Sequence, residues 1–173
     1  MKSILFIFSG LPATGKSVLA QFVAKEYNAV YLRIDTVEQG LRDVCNMNVQ
    51  GEGYRLSYRI VADNLKLGLN VVADSCNPIQ LTRNEWQEIA EKNDVEFINI
   101  EVVCSDKDEH RKRVEERKSD IPGLKLPTWE DVENREYHPW KSNRIVIDTA
   151  NKSVEESLEE IKRKIRAHLK HKT

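Results

Sequence analysis

Short apolar runs recur along the chain, and longer segments with apolar residues at helical spacing separate them. Five of the short runs are rich in β-branched or aromatic residues, which predicts strands. The predicted strands are Ile4–Phe8, Ala29–Ile34, Asn70–Ala73, Val95–Val103 and Arg144–Ile147. Strands that alternate with helices are typical of an α/β protein, with a five-stranded parallel sheet and helices on both of its faces.

The segments between the predicted strands carry helix signals. The predicted helices are Lys16–Tyr27, Thr36–Val44, Tyr54–Leu67, Ile79–Lys92, Ser105–Lys118, Thr128–Tyr137 and Ser153–Leu169. Either Asp35 or Thr36 is the expected N-cap of the second helix, and Ser153 with Glu156 has capping-box spacing in the last one. The expected apolar stripe of the third helix is Leu56, Ile60, Val61 and Leu65, and that of the last helix is Val154, Leu158, Ile161, Ile165 and Leu169.

The first predicted strand leads directly into a loop with two glycines. Its sequence is Gly10-Leu11-Pro12-Ala13-Thr14-Gly15-Lys16-Ser17, followed by helix-favouring residues from Val18 onward. Two glycines five positions apart, followed by Lys-Ser and set between a strand and a helix, form a Walker A phosphate loop. Glycines let successive backbone amides converge on one anion, and the start of the helix adds its positive dipole end. The sequence therefore predicts an ATP site over residues 10–18.

Side chains of this loop suit a magnesium nucleotide. Lys16 can place a mobile positive charge on the β- and γ-phosphates. The Ser17 hydroxyl can bind Mg²⁺, which prefers oxygen ligands. Asp74 ends the third predicted strand and is the expected acid that organises Mg²⁺, through water. The alternative for Asp74 is that it caps the turn into the next helix.

Asp35 directly follows the second predicted strand. The carboxyl ends of parallel strands meet at one edge of a sheet, so Asp35 is expected close to the phosphate loop. An acid at that place can accept the proton of an acceptor hydroxyl during phosphoryl transfer. Capping of the following helix is the other reading of the same position, and both roles are compatible. Arg42 lies two turns further along that helix and either binds an anionic acceptor or is solvated.

Arg113 and Arg117 lie four residues apart in a strongly charged predicted helix, so they share one face. Guanidinium groups can bind the charge that develops on a transferring phosphoryl group. Surface ion pairs with Glu109 and Glu116 are the competing explanation. The helix leads into a loop with prolines and a glycine, so residues 105–140 are predicted to form a closing lid.

The motifs together resemble those of a group of small P-loop kinases. The group includes zeta toxins, chloramphenicol phosphotransferase, gluconate kinase, adenylylsulfate kinase and the kinase domain of polynucleotide kinase, and many members are called AAA family ATPases. The resemblance spans nearly the whole chain. It is carried by the phosphate loop, Arg33-Ile34-Asp35, residues 68–74 with Asn77-Pro78, Arg83, residues 113–117, Tyr137-His138-Pro139-Trp140 and Ile147-Asp148-Thr149.

The resemblance implies a nucleotide-kinase-like P-loop fold with a helical lid and a kinase that uses ATP and Mg²⁺. It implies that Asp35 activates the acceptor, with Lys16 serving the phosphates, and that Arg117 and Arg113 contact ATP from the lid. The loop that begins at Thr149 would lie near adenine. For Arg83 it leaves two roles open, one in the structure and one facing the acceptor.

Composition narrows the class of protein further. A chain of 173 residues with 40% hydrophobic and 32% charged residues is expected to form one globular domain over 1–173. A net charge of −1 argues against binding to long nucleic acid. The N-terminal apolar run is too short to span a membrane and the phosphate loop follows at once, so a cytoplasmic protein is expected. Three widely spaced cysteines argue against a disulfide framework or a zinc site.

Two functional hypotheses follow. The first is an ATP-dependent kinase that phosphorylates a hydroxyl group of a small molecule; in a variant of it, the acceptor is a nucleoside, a nucleotide or a nucleic-acid end. The second is a switch that binds and slowly hydrolyses ATP without an acceptor. Neither the acceptor nor the oligomeric state follows from the sequence.

Overall fold

A central β-sheet organises the computed structural model, which describes residues 3–170. Five strands occur in this range: β1 (Ile4–Ser9), β2 (Ala29–Arg33), β3 (Asn70–Asp74), β4 (Glu96–Val103) and β5 (Ile145–Asp148). They form one sheet in the order β2-β3-β1-β4-β5, and every neighbouring pair is parallel. The predicted five-stranded parallel sheet is confirmed.

Helices occupy both faces of this sheet. The same residues contain α1 (Lys16–Glu26), α2 (Ile34–Cys45), α3 (Glu52–Lys66), α4 (Gln80–Lys92), α5 (Lys107–Glu116), α6 (Trp129–Glu133) and α7 (Val154–Lys170). Each of the seven predicted helices is present, and α5 and α6 are shorter than predicted. Asp106, Thr128 and Ser153 accept backbone hydrogen bonds at the starts of α5, α6 and α7.

The central strand β1 is buried on both sides, which explains its continuous apolar sequence. Phe6 and Phe8 face the core beneath α1 and α7, where Ile161 and Ile165 are fully buried. The alternating residues of β1 face a second core beneath α3 and α4, which contains Val61, Leu65 and Trp86. Burial of apolar surface on both faces holds the carboxyl end of β1 in place.

Three local predictions about helices differ from the structure, two of them only in part. The N-cap of α2 is Arg33, and Asp35 lies inside the first turn rather than at the cap, because Ile34 already belongs to the helix. In α3, Leu56 and Ile60 are 39% and 38% exposed, and Gly53 and Ser57 are buried instead. The reason is the close packing of α3 on α2, where a Cβ atom at Gly53 would collide with the side chain of Glu38. In α7, Val154 is also exposed.

Candidate active site

The predicted site residues meet at the carboxyl edge of the sheet. The phosphate loop follows β1, Asp35 lies two residues beyond β2, Asp74 is the last residue of β3, and Thr149 follows β5. Strand order changes direction at β1, which lies between β3 and β4. Ligands of open parallel sheets bind at such a position, outside the carboxyl ends of the strands.

The backbone of the phosphate loop has the left-handed residues that a phosphate-binding turn requires. Gly10 and Gly15 have φ angles of 147° and 88°, and Ala13 has a φ of 66° although it carries a Cβ atom. A Cβ atom at Gly10 would collide with the carbonyl oxygen of Val102. Gly15 is the N-cap of α1 and supplies no side chain, so the first amides of the helix remain available to an anion.

Lys16 and Asp74 form an ion pair at the base of the loop. The Lys16 Nζ lies 2.6 Å from Asp74 Oδ1, and Tyr31 donates its hydroxyl hydrogen to Asp74 Oδ2 over 2.6 Å. Burial would by itself raise the pKa of Asp74, but Lys16, with hydrogen bonds from Tyr31 and Ser17, holds that pKa below the ordinary value of aspartate. Asp74 is therefore an ionised acid beneath the loop.

The oxygen donors at this place fit Mg²⁺. The Ser17 hydroxyl lies close enough to the Asp74 carboxylate to lower its pKa, so a hydroxyl and an ionised carboxylate adjoin each other. Magnesium is bound in proteins by one or two such groups and takes its remaining ligands from water and phosphate. Lys16 and Tyr31 each donate to one Asp74 oxygen, and the carboxylate can still accept a hydrogen bond from a water molecule on Mg²⁺, while the Ser17 hydroxyl could bind the ion directly.

Two cavities border the phosphate loop, and a third adjoins the first of them. The central cavity, of about 700 Å³, is lined by the loop, by α2 and by the segment from Arg117 to Pro127. The α7-side cavity, of about 480 Å³, is bounded by Gly15, Arg113, Thr149 and the start of α7. The α3-side cavity, of about 640 Å³, is lined by α2, α3 and the start of α4.

Asp35 lines both the central cavity and the α3-side cavity. Its side chain is exposed, in the first turn of α2. Three other residues also line both cavities: Glu38, Cys76 and Arg135. A molecule in the α3-side cavity would meet a molecule in the central cavity at these four side chains.

Sequence reasoning missed Glu38, Cys76 and Arg135. Glu38 lies one turn beyond Asp35 and accepts a hydrogen bond from Arg42 over 3.3 Å. Burial raises the pKa of the Cys76 thiol, and the charges of Arg135 and Lys16 oppose that effect. The spacing of Glu38 from Asp35 was a usable signal, whereas Arg135 reaches the site from more than ninety residues away through the end of α6.

The two lid arginines occupy different places. Arg117 lines the central and α7-side cavities, and its Nε is buried without a hydrogen-bond partner among residues 3–170. Burial lowers the pKa of Arg117, and the negative charge of Asp35 opposes this effect. Arg113 pairs with Glu109 over 2.6 Å and donates to Thr149 Oγ1 over 2.8 Å. Arg113 therefore fixes the loop after β5, and the predicted pair with Glu109 is present.

Arg42 and Arg83, the two arginines considered for acceptor binding, lie in different environments. Arg42 lines the central cavity. Arg83 is fully buried and lines none of the three cavities. Its guanidinium donates to the carbonyl oxygens of Asn77, Pro78 and His138 and stacks on the ring of Trp140 at 4.1 Å. Of the two roles predicted for Arg83, these contacts support the structural one and contradict the acceptor-facing one.

The segment after α5, part of the predicted lid, lines the central cavity. Arg33 donates to both carboxylate oxygens of Asp120, over 2.9 and 2.8 Å. Gly123 approaches Gln39 closely on α2, and its φ of 75° suits glycine. The segment after α5 is thus attached to the start and the body of α2.

Comparison with known proteins agrees with this geometry. The model of the AAA_33 family, described as an AAA domain, matches residues 5–131. Among curated proteins, none matches the chain. Within residues 3–170, no helix has both the length and the apolar character needed to cross a membrane.

Solved structures with the same fold include several kinases. A candidate kinase from Chloroflexus aurantiacus J-10-fl has a TM-score of 0.73 and 23% identity, covering 99% of this chain and 98% of that one. The gluconokinase from Sinorhizobium meliloti 1021 has a TM-score of 0.64 at 13% identity, covering 92% and 89%. The Mycobacterium tuberculosis APS kinase CysC, solved with AMPPNP and APS, has a TM-score of 0.66 at 16% identity, covering 95% and 98%. The chain therefore belongs to the AAA_33 family and has the α/β fold of P-loop kinases.

Proposed function

We propose that the protein is an ATP-dependent kinase that transfers the γ-phosphoryl group to a hydroxyl group of a small molecule. The observation that carries this proposal is the position of Asp35 at the boundary between two cavities. One of them contains the phosphate loop and accommodates the triphosphate. The other, of about 640 Å³, has the volume of a small-molecule site and accommodates the acceptor.

The phosphate loop, Thr149, Arg117, Ser17 and Asp74 each have a role in this reaction. Amides of residues 10–18 and the Lys16 ammonium bind the phosphates. Thr149 and the start of α7 line the cavity that would receive the base. Arg117 lines both the central and the α7-side cavities, so its guanidinium would bind phosphate oxygens of the nucleotide. Mg²⁺ bound near Ser17 and Asp74 would neutralise charge on the β- and γ-phosphates.

In the transfer step, the acceptor oxygen attacks the γ-phosphorus while the bond from that phosphorus to the β-phosphate oxygen breaks. Asp35 accepts the proton that the hydroxyl group loses. The products are ADP and a phosphate ester. Arg117 stabilises the negative charge on the transferring oxygens, because a guanidinium binds two of them at once.

The α3-side cavity favours an acceptor over a switch without one. Its wall combines apolar side chains, among them Ile34, Tyr54 and Ile79, with the carboxylates of Glu38 and Glu85. Such a mixed lining is typical of small-molecule sites, which bury an apolar body and orient it with a few polar groups. A protein that only hydrolysed ATP would need no second cavity at the γ-phosphate side.

An acceptor screen that measures ADP release tests the proposal. The panel contains sugars, nucleosides and amino alcohols. It also contains three matched phenyl alcohols that differ in charge: 2-amino-1-phenylethanol, 1-phenyl-1,2-ethanediol and mandelate. At least one hydroxyl compound is expected to raise ADP release above the rate without acceptor, and phosphorus NMR should detect its phosphate ester. Equal ADP release with and without every acceptor would favour the switch.

A further inference from the structure

His110 connects the phosphate loop to the lid. This histidine lies on α5 and is buried, and its Nε2 is 2.8 Å from the carbonyl oxygen of Pro12. A carbonyl group can only accept a hydrogen bond, so Nε2 carries the hydrogen and donates it. The contact joins positions that are 98 residues apart in the sequence. It ties a buried side chain to the backbone of the predicted ATP site.

The carbonyl group that His110 holds belongs to the most unusual part of the loop. Pro12 precedes Ala13, whose φ of 66° lies in the left-handed region. A residue with a Cβ atom adopts that region at a free-energy cost, so contacts around it must maintain it. Thr14 Oγ1 donates to the Leu11 carbonyl oxygen, and Thr149 Oγ1 donates to the Thr14 carbonyl oxygen. The hydrogen bond from His110 holds Pro12, the residue that immediately precedes Ala13.

The imidazole ring is itself held by the lid. The Trp129 ring, at the start of α6, packs edge-to-face on His110 with centroids 5.4 Å apart and an interplanar angle of 85°. Trp129 opens the short helix whose far end leads to Arg135 at the boundary of the two cavities. His110 thus lies between the phosphate loop and the lid helix and contacts both.

We propose that His110 is a positioning residue: its hydrogen bond to Pro12 keeps Ala13 in the left-handed conformation that aims the loop amides at the nucleotide phosphates. This inference rests on the proposed nucleotide binding and extends it to a residue outside the loop. Because Trp129 orients the imidazole ring of His110, the conformation of the phosphate loop depends on the position of helix α6. Neither residue lines the central or the α7-side cavity.

The test measures the affinity of AMPPNP by calorimetry for substitutions that separate the hydrogen bond from packing. His110→Phe keeps a ring against Trp129 but has no donor, and it is expected to weaken AMPPNP binding about five- to tenfold. His110→Gln restores a donor at a similar reach and should stay within about twofold of the wild type. His138→Phe, at a histidine that lines none of the three cavities, is the control and should leave the affinity unchanged.

A second substitution in the loop distinguishes positioning from a general effect on folding. Glycine adopts positive φ angles without a Cβ penalty, so Ala13→Gly should no longer need the His110 bond. His110→Phe is therefore expected to lose little affinity in the Ala13→Gly background. Equal losses in both backgrounds, or no loss in the wild-type background, would overturn the inference. Normal AMPPNP binding without turnover of any alcohol would overturn the proposed kinase function and leave the His110 result standing.

Discussion

The Lys16 ammonium lies 2.6 Å from the Asp74 carboxylate, and this pair fixes the charge balance beneath the phosphate loop. The Asp74 side chain is fully buried, while that of Lys16 is 11% exposed at the edge of the central cavity. Lys16 is thus the partner that a bound phosphate can reach. The Tyr31 hydroxyl group remains on Asp74 and would support the carboxylate when Lys16 turns toward a nucleotide.

Replacing Lys16 tests the electrostatic part of the nucleotide site. Lys16→Met keeps most of the aliphatic stem and removes the charge, so it is expected to weaken AMPPNP binding by about 10- to 100-fold. Lys25→Met, at an exposed lysine on the same helix, should change the affinity for AMPPNP by less than about twofold. Titration calorimetry with Mg²⁺ measures both. An affinity of Lys16→Met equal to that of the control would contradict the assigned phosphate site.

Arg83 should contribute to stability and not to nucleotide binding. Arg83→Met leaves three carbonyl groups without the donor that they share, so the free energy of unfolding is expected to fall by about 2–4 kcal/mol. Lys92→Met, on an exposed turn of the same helix, should change it by less than about 0.5 kcal/mol. Urea denaturation measures both variants. Loss of acceptor turnover without loss of stability would restore the acceptor role.

Arg135 should act at the boundary between the nucleotide and the acceptor. Arg135→Met removes the guanidinium that borders both cavities, and kcat/KM for the acceptor is expected to fall by about 10- to 100-fold. AMPPNP affinity should change less than about threefold, because the phosphate loop is intact. Steady-state kinetics with the acceptor from the screen provide the first value. Arg163→Met, exposed on α7, is the matched control, and a similar kcat/KM in both variants would reject the role.

Local sequence patterns predicted the parts of this protein that depend on neighbouring residues. The spacing of the glycines predicted the phosphate loop, and short apolar runs predicted the five strands. The structure has the loop between β1 and α1 and the strands at these positions. Asp35 was found because acids after parallel strands share one edge of the sheet. Capping chemistry offered Asp35 or Thr36 as the N-cap of a helix from Thr36, whereas α2 begins two residues earlier, at Ile34.

Features that depend on packing between distant segments were not predicted. Leu56 and Ile60 have the spacing of a buried stripe, but the close contact of Gly53 with α2 turns a different face of α3 inward. Arg135 and His110 reach the site through the lid, and nothing in their sequence neighbourhood specifies the contact. Arg83 did carry a usable signal, because it lies three residues before buried Trp86 on the inner face of α4.

The central claim is that Asp35 accepts the proton of the acceptor hydroxyl group, and Asp35→Asn tests it most directly. An amide keeps the size of the side chain but is a poor proton acceptor, so kcat is expected to fall by about 10²- to 10⁴-fold. AMPPNP affinity should remain within about twofold of the wild type. Asp43→Asn, on the same helix but lining neither cavity, should retain full turnover. Wild-type turnover by Asp35→Asn would contradict the account.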